Sequence, residues 1–192
     1  MNKESGGGDS DLELYEFLQF LVTLAFSMDK DTSDYVTSLQ ALLSKLSRSR
    51  RIEELAPLLG EAASEPGVAA SLEAGGASTA FQQVSSGGAP VSERSFLQQL
   101  EKAKLIRSVI VTLPGGAEGH ADLSWQDASA AFQVCGGGKP LSEAEYANCL
   151  ALCAMSKYAA IETLSPAKRV EGFLANLAGT QDEHAVIGAG KF

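Results

Sequence analysis

The chain has 192 residues, enough to bury a core as one domain or as two small ones. Its 45% hydrophobic and 20% charged residues are typical of a globular protein. The net charge of −9 argues against binding to nucleic acid or to an anionic membrane, because few basic groups can neutralise phosphates. The longest apolar run, residues 17–26, is too short to span a bilayer, and the polar first ten residues do not resemble a secretion signal. We therefore expect a cytoplasmic protein.

Three amphipathic helices are predicted in the first third of the chain. Apolar residues recur at helical spacing from Leu12 to Met28 and from Tyr35 to Leu46, and a shorter helix is predicted from Ile52 to Leu59. Short connections favour antiparallel packing of these helices. The predicted organisation is a flexible arm over residues 1–11 and a helical segment over residues 12–61.

Residues 62–91 differ in composition from their surroundings. They are rich in Gly, Ala and Ser, and the pairs Gly75-Gly76 and Gly87-Gly88 are expected to interrupt helices. The composition predicts a linker between two helical halves, with at most a short helix near Val68.

Capping signals locate the helices of the second half. A serine precedes each apolar face, and Ser142 with Glu145 fits a capping box. The β-branched run from Val109 to Leu113 favours a short extended strand. The serines that mark helix starts are Ser92 or Ser95, Ser124, Ser142 and Ser165, the last followed by Pro166. We predict a helical domain over residues 92–178 and a polar tail over residues 179–192.

Aromatic and thiol side chains of the second half are assigned to the core. Trp125, at a helix start, is interpreted as an anchor between helices. Cys149 and Cys153 lie four residues apart on an apolar helix face, and Cys135 makes the cysteine count odd. This pattern favours reduced, buried thiols over a disulfide framework or a metal site.

Three segments share a helix-start pattern in which an acidic residue follows an apolar one. The pattern includes Glu16 after Leu12, Asp127 after Leu123 and Glu145 after Leu141, and an aromatic residue comes directly after both glutamates. It resembles the second half of EF-hand units, where a loop ends in an acidic calcium ligand and a helix follows. The resemblance implies an all-α fold of two small helical bundles, the C-terminal one a paired helix-loop-helix arrangement.

Calcium ligands are mostly missing from these EF-hand-like loops. A working loop needs oxygen ligands at positions 1, 3, 5, 7, 9 and 12 and a glycine at position 6. Counting back from Asp127 and from Glu145 gives loops that do not keep this ligand set. Asp9, Asp11 and Glu16 form the one group that could hold a cation. No cofactor is therefore expected, with calcium at this group as a weak alternative.

Helices of this kind, with degenerate EF-hand-like halves, are similar to small proteins of the ciliary and flagellar axoneme. The resemblance implies a structural or adaptor protein that is bound into a microtubule-based assembly, with tubulin or axonemal proteins as partners. Partner contacts are assigned to apolar residues on short helices and to a basic cluster, whose alternative role is to interact with the dipole at the end of the second helix. The candidate partner-binding residues are Phe20, Phe26, Arg48, Arg50 and Arg51.

No catalytic motif is found in the sequence. Phosphate-binding loops are missing apart from a superficial match at Gly188 to Phe192, and His120 and His184 are assigned to a loop and the tail. We predict a non-enzymatic protein. Two alternatives stay open: a calcium-responsive regulatory subunit of EF-hand type, and a non-catalytic subunit of a cytosolic enzyme complex.

Overall fold

The computed structural model describes residues 14–28, 36, 38–39, 42–43, 48–113 and 116–188. The chain forms two compact units, Met1–Ser47 and Arg48–Phe192. The described residues contain nine helices and one two-stranded sheet. The prediction of a mostly helical protein is therefore confirmed in its coarse form. The division between the two units, after Ser47, comes before the predicted linker of residues 62–91.

The first unit contains helix α1, Leu14–Met28, as the sequence predicts. Val36, Leu39 and Leu42, which belong to the second predicted helix, are also helical. Ala25 and Leu42 are buried. The arm predicted over residues 1–11 lies outside the described residues.

The second unit is built around one central helix. Its elements are α2 (Arg48–Ser64), α3 (Pro66–Ala74), α4 (Ala77–Val84), α5 (Glu93–Lys102), β1 (Arg107–Thr112), β2 (Glu118–Leu123), α6 (Trp125–Gly136), α7 (Glu143–Lys157), α8 (Pro166–Leu177) and α9 (Glu183–Gly188). Helix α7 packs against α2, α4, α6, α8 and β2. Buried residues cover its circumference, from Tyr146 to Met155, as expected of a helix enclosed by others.

The predicted linker over residues 62–91 is mostly helical. The end of α2 and the whole of α3 and α4 lie in this range, and Val68, Ala77 and Phe81 are buried in the core. The glycine pairs separate these helices without freeing the segment, since Gly76 adopts φ 78° directly before α4. The small residues that predict a linker instead allow short helices to pack closely.

Helix α2 is longer than the sequence predicts. It begins at Arg48 instead of Ile52 and continues through Pro57 and Gly60 to Ser64. Proline inside a helix costs about 3 kcal/mol, which tertiary packing can offset. Leu55 and Ala62 are buried, and α2 packs on α6 and α7. Packing therefore outweighs the local breakers.

The serine signals in the second half are confirmed. The Oγ atoms of Ser92, Ser124, Ser142 and Ser165 accept a backbone N–H three residues on, at the starts of α5, α6, α7 and α8. Ser142 forms the predicted capping box with Glu145. Such caps each stabilise a helix by about 1 kcal/mol.

A β-hairpin stands where an EF-hand-like loop was predicted before Asp127. β1 contains most of the predicted strand, and it pairs antiparallel with β2, a strand that was not predicted, with Val109 opposite Ala121. Gly119, Ala121 and Leu123 are buried and alternate with exposed residues. The loop interpretation of residues 116–127 is therefore wrong, because this alternation places one face of β2 on the core.

The tail also departs from the prediction. Residues 183–188 form helix α9, and Val186 and Ile187 are buried. A Cβ atom on Gly172 of α8 would lie 2.2 Å from Cγ1 of Val186. The missing side chain of Gly172 thus makes room for α9, a packing effect with no local signal in the tail.

Candidate functional site

The second unit contains an internal duplication that our sequence analysis missed. Helix α4, its following loop and α5 match α6, its following loop and α7. The matched pairs are Ala77 with Ala128, Ser78 with Ser129, Ala80 with Ala131, Phe81 with Phe132, Gln82 with Gln133, Val84 with Val134, Gly87 with Gly137, Gly88 with Gly138, Pro90 with Pro140, Ser92 with Ser142, Glu93 with Glu143 and Leu100 with Leu150. A search for repeats would have found this signal.

The glycine pairs of the two loops have similar backbone geometry. Gly87 and Gly88 have φ of 64° and 84°, and Gly137 and Gly138 have φ of 58° and 83°. Three residues after the second glycine of each loop, Val91 and Leu141 form an isolated antiparallel bridge. The two loops are therefore paired back to back.

Equivalent contacts cross between the two repeats. Ser78 of α4 donates a hydrogen bond to Glu143 of α7, and Ser129 of α6 donates one to Glu93 of α5, each at 2.5 Å. Because both partners are exchanged together, the two helix-loop-helix repeats are related by a pseudo-two-fold axis.

Aromatic rings from all four helices meet between the repeats. The ring of Tyr146 lies 5.5 Å from that of Phe81 and 5.8 Å from that of Phe96, both edge to face. Phe96 also lies 6.0 Å from Phe132. The Tyr146 hydroxyl donates to Oε1 of Gln99, and burial raises the pKa of Tyr146. The tyrosine is a neutral core residue.

The second repeat is covered by α2. Nε of Arg51 donates a hydrogen bond of 2.5 Å to Oδ1 of Asp127, and the other carboxylate oxygen of Asp127 accepts from the backbone and hydroxyl of Ser124. Arg51 also bonds Glu54. Asp127 thus serves as the capping partner of α6 and as an ionic contact to α2.

A groove lies on the first repeat, between α4, α5 and the end of α8. It contains two adjoining cavities of about 660 and 230 Å³, both lined by Gln83, Leu177 and Ala178. Lys102 and Lys104 line the larger cavity. Neither lysine makes an ion pair within the part of the chain that the structure describes.

Helix α1 of the first unit presents a large apolar surface. Its polar residues Glu16, Gln19, Thr23 and Ser27 fall on one side of the helix at about 100° per residue. The apolar residues of its first two turns are largely exposed: Leu14 (73%), Tyr15 (73%), Phe17 (44%), Leu18 (51%) and Phe20 (56%).

The predicted partner-binding residues fall in different places. Phe20 belongs to the exposed surface of α1, whereas Phe26 near the other end is half-buried. Arg48, Arg50 and Arg51 lie in the first turn of α2, so their assignment to a helix C-terminus was wrong. Cations are unfavourable at this end of the helix dipole, which Asp127 and Glu54 offset at Arg51.

Trp125 is not the core anchor that was predicted. Its side chain is 43% exposed at the first position of α6. The adjoining groove, of about 620 Å³, is lined mainly by α5, including Leu97 and Glu101. The indole contributes to the surface because Ala128, Ala131 and Phe132 supply the buried face of α6.

No cluster of three or more His, Cys, Asp or Glu with metal-site geometry is found among the described residues. Asp9 and Asp11 of the predicted cation group lie outside them, and Glu16 lies in the first turn of α1. His120 is exposed on β2, not in a loop, and His184 is exposed on α9. Cys149 and Cys153 are buried free thiols, as predicted.

An ionic network of two buried side chains and the half-exposed Arg107 joins the tail to the core. Glu183 of α9 accepts a hydrogen bond of 2.5 Å from Arg107 and lies 3.4 Å from Nζ of Lys157. The ammonium of Lys157 also donates to the carbonyl of Leu105 at 2.9 Å. Burial lowers the pKa of Lys157, while the charge of Glu183 opposes the shift. The charges of Arg107, Lys157 and Glu183 therefore have a structural role, which is to attach α9 to the core.

No helix among the described residues has the length and apolar character needed to cross a bilayer. No family model matches this chain, and neither a curated protein nor a solved structure is significantly similar to it.

Proposed function

We propose that this chain is a non-enzymatic structural or adaptor subunit that is bound into a larger protein assembly. The observation that carries the proposal is the exposed apolar surface of α1. Soluble monomers seldom expose contiguous apolar patches that are not contact sites. Burial of each large apolar side chain contributes about 1.5–3 kcal/mol, so several on one helix can anchor a partner.

Leu14, Leu18 and Phe20 are each more than half exposed. Leu14, Phe17 and Leu18 lie on the side of α1 opposite its polar residues, at spacings of three and four residues from Leu14, which suits insertion into a groove of a partner protein. Glu16 is the one charged side chain of α1, so the helix has little charge to keep in water.

The ciliary or flagellar axoneme is the assembly that we propose, on the basis of the EF-hand-like resemblance. The paired helix-loop-helix repeats support that interpretation of the fold, because the bridge from Val91 to Leu141 joins two equivalent loops. The pair consists of residues 77–102 and 125–157 and does not use the loop that was first aligned on Asp127. Neither residues 85–92 nor residues 135–142 contain Asp or Glu, which favours a docking role over calcium binding.

Affinity purification of the tagged full chain from its own cells, followed by mass spectrometry, tests the proposal. A variant with Leu14→Gln, Phe17→Gln and Leu18→Gln is compared with a control carrying Gln19→Ala and Thr23→Ala on the polar side of α1. We expect tubulin and axonemal proteins to be retained by the wild type and the control and lost from the apolar-surface variant.

Three outcomes would contradict parts of the proposal. Equal retention by the apolar-surface variant would exclude α1 as the binding surface. A soluble enzyme or kinase as the sole stoichiometric partner would argue against the axoneme and favour a non-catalytic subunit of an enzyme complex. A change of Trp125 fluorescence with millimolar calcium would favour the calcium-responsive alternative.

A further inference from the structure

We propose that the groove formed by α4, α5 and the C-terminal end of α8 binds an amphipathic helix of a partner protein that carries acidic residues. The groove is a second binding surface of the proposed adaptor and is independent of α1. The pseudo-two-fold repeats have equivalent faces, of which α2 covers one.

The residues of the second repeat that contact α2 have counterparts in the first repeat. Asp127 at the start of α6, which binds Arg51, corresponds to Gly76 at the start of α4. Ala130 of α6 corresponds to Thr79 of α4 by the same alignment. Gly76 and Thr79 both line the smaller cavity of the groove. The groove therefore lies where the duplication would place a counterpart of α2.

Burial differs between the two equivalent faces. Ala130 is fully buried on α6, which packs against α2, whereas Thr79 is exposed on α4. Gln83, one turn further along α4, is also exposed and lines both cavities. The same helix face is thus covered in one repeat and open in the other.

The lining of the groove indicates what the occupant must carry. Leu174 and Leu177 of α8 and Ala80 of α4 give the smaller cavity an apolar wall. Lys102 and Lys104 at the other end have no ionic partner among the described residues, in a chain whose net charge is −9. The larger cavity is otherwise lined mainly by polar side chains, so a helix with apolar residues over the smaller cavity and carboxylates over the larger one complements this arrangement.

Helix α2 supplies a template for such an occupant. Its apolar residues Ile52, Leu55, Leu59 and Ala62 follow helical spacing, and Leu55 and Ala62 are buried. A partner helix of similar length with the same spacing would fill the open face. Its ionic contact would differ, because Gly76 stands at the position equivalent to Asp127 and the charges of the groove, Lys102 and Lys104, lie at its other end.

The test is selection from a display library of helical peptides with the purified full chain as bait. Selected peptides are synthesised, and their affinities are measured for the wild type and for Gln83→Trp, which fills the groove. Gln82→Trp is the matched control, because Gln82 is the exposed neighbour on α4 and lines none of the cavities described. Circular dichroism checks that both variants are folded.

We expect the selected peptides to combine an apolar helical stripe with Asp or Glu, and Gln83→Trp to weaken binding by about tenfold or more while Gln82→Trp does not. Lys102→Gln with Lys104→Gln should weaken binding by about tenfold through loss of charge-assisted hydrogen bonds. Lys139→Gln with Lys168→Gln, an equal change of net charge elsewhere on the surface, should leave the affinity unchanged.

Selection of no peptides, or of peptides that bind Gln83→Trp as tightly as the wild type, would overturn the inference. Selected peptides without acidic residues would overturn the assigned chemistry of the partner. The apolar-surface variant of α1 should bind the peptides normally, so failure of this inference can be told apart from failure of the proposed function.

Discussion

Val91 and Leu141 exchange two backbone hydrogen bonds, with N to O distances of 2.9 and 2.8 Å. Each residue immediately precedes the serine that caps the helix after its loop. This single bridge sets the positions of α5 and α7 relative to each other and pairs the two repeats. Both side chains are buried, so the bridge is part of the core.

Truncation of the Leu141 side chain should lower the stability of the protein considerably. Leu141 is fully buried. Its side chain packs so closely on Gly136 that a Cβ atom on this glycine would lie only 2.5 Å from Cδ2 of Leu141. We expect Leu141→Ala to lower the free energy of unfolding by about 2–5 kcal/mol, measured by urea denaturation. Lys139→Ala in the same loop is the control and should change it by less than about 0.5 kcal/mol. A loss below about 1 kcal/mol for Leu141→Ala would contradict the packing described.

The C-terminus of α5 should be stabilised by glycine. Lys104 has φ 57°, and its N–H bonds the carbonyl of Glu101 while the N–H of Leu105 bonds that of Leu100, which is a Schellman motif. Lys104→Gly should raise the free energy of unfolding by about 0.5–1 kcal/mol, since relief of the left-handed strain exceeds the added freedom of the unfolded chain. Gln98→Gly, at an exposed position inside the helix, should lower it by about 1 kcal/mol. Equal effects of the two substitutions would argue against the motif.

Docking of α9 should depend on the small size of Gly172. We expect Gly172→Ala to lower the free energy of unfolding by about 1–3 kcal/mol, because its Cβ would overlap Val186. Hydrogen exchange of the amides of residues 183–188 should become faster. Adding Val186→Ala should recover part of the loss, so that the two substitutions are not additive. Additive losses would show that the close contact between residues 172 and 186 does not control the packing of α9.

Acid should weaken the attachment of α9 through Glu183. Burial alone would raise the pKa of Glu183, but the hydrogen bond from Arg107 and the charge of Lys157 lower it below the ordinary carboxyl value of 4.5. A carboxyl whose pKa is lower in the folded state contributes stability above its unfolded pKa and loses that contribution as the pH falls through the folded value. Below about pH 4.5, the wild type should therefore lose stability more steeply than Glu183→Gln.

At neutral pH, Glu183→Gln should lower the free energy of unfolding by about 3 kcal/mol, because the buried ammonium of Lys157 loses its counter-charge. Lys168→Gln, which breaks the exposed pair with Glu171, is the control and should cost less than about 1 kcal/mol. Parallel pH profiles for the wild type and Glu183→Gln would contradict the lowered pKa.

The three cysteines should react with a thiol reagent at different rates. Burial, together with the neighbouring thiols of Cys135 and Cys153, raises the pKa of the Cys149 thiol. Cys135 is half-buried, whereas Cys149 and Cys153 are buried. We expect Cys135 to react first with an aromatic disulfide reagent and the other two only after denaturation, and Cys135→Ser should remove the early reaction. A second fast thiol in Cys135→Ser would be inconsistent with the buried pair.

The sequence by itself determined where most helices of the second half begin. Ser142 and Glu145 satisfy backbone donors within one turn, so their effect is local and readable from four residues. The apolar spacing of α1 is equally local. The repeat of Ala-Ser, Gly-Gly and Ser-Glu pairs is also a property of the sequence.

The tertiary structure alone decided how residues 62–91 and the tail are used. Gly, Ala and Ser have weak local preferences, so the burial of Phe81 and Val68 determined that α3 and α4 are helices of the core. Pro57 and Gly60 lie inside α2 because contacts with α6 and α7 outweigh their local cost. The same reason separates the two repeats: related sequences form equivalent faces, and long-range packing decided that α2 covers one of them.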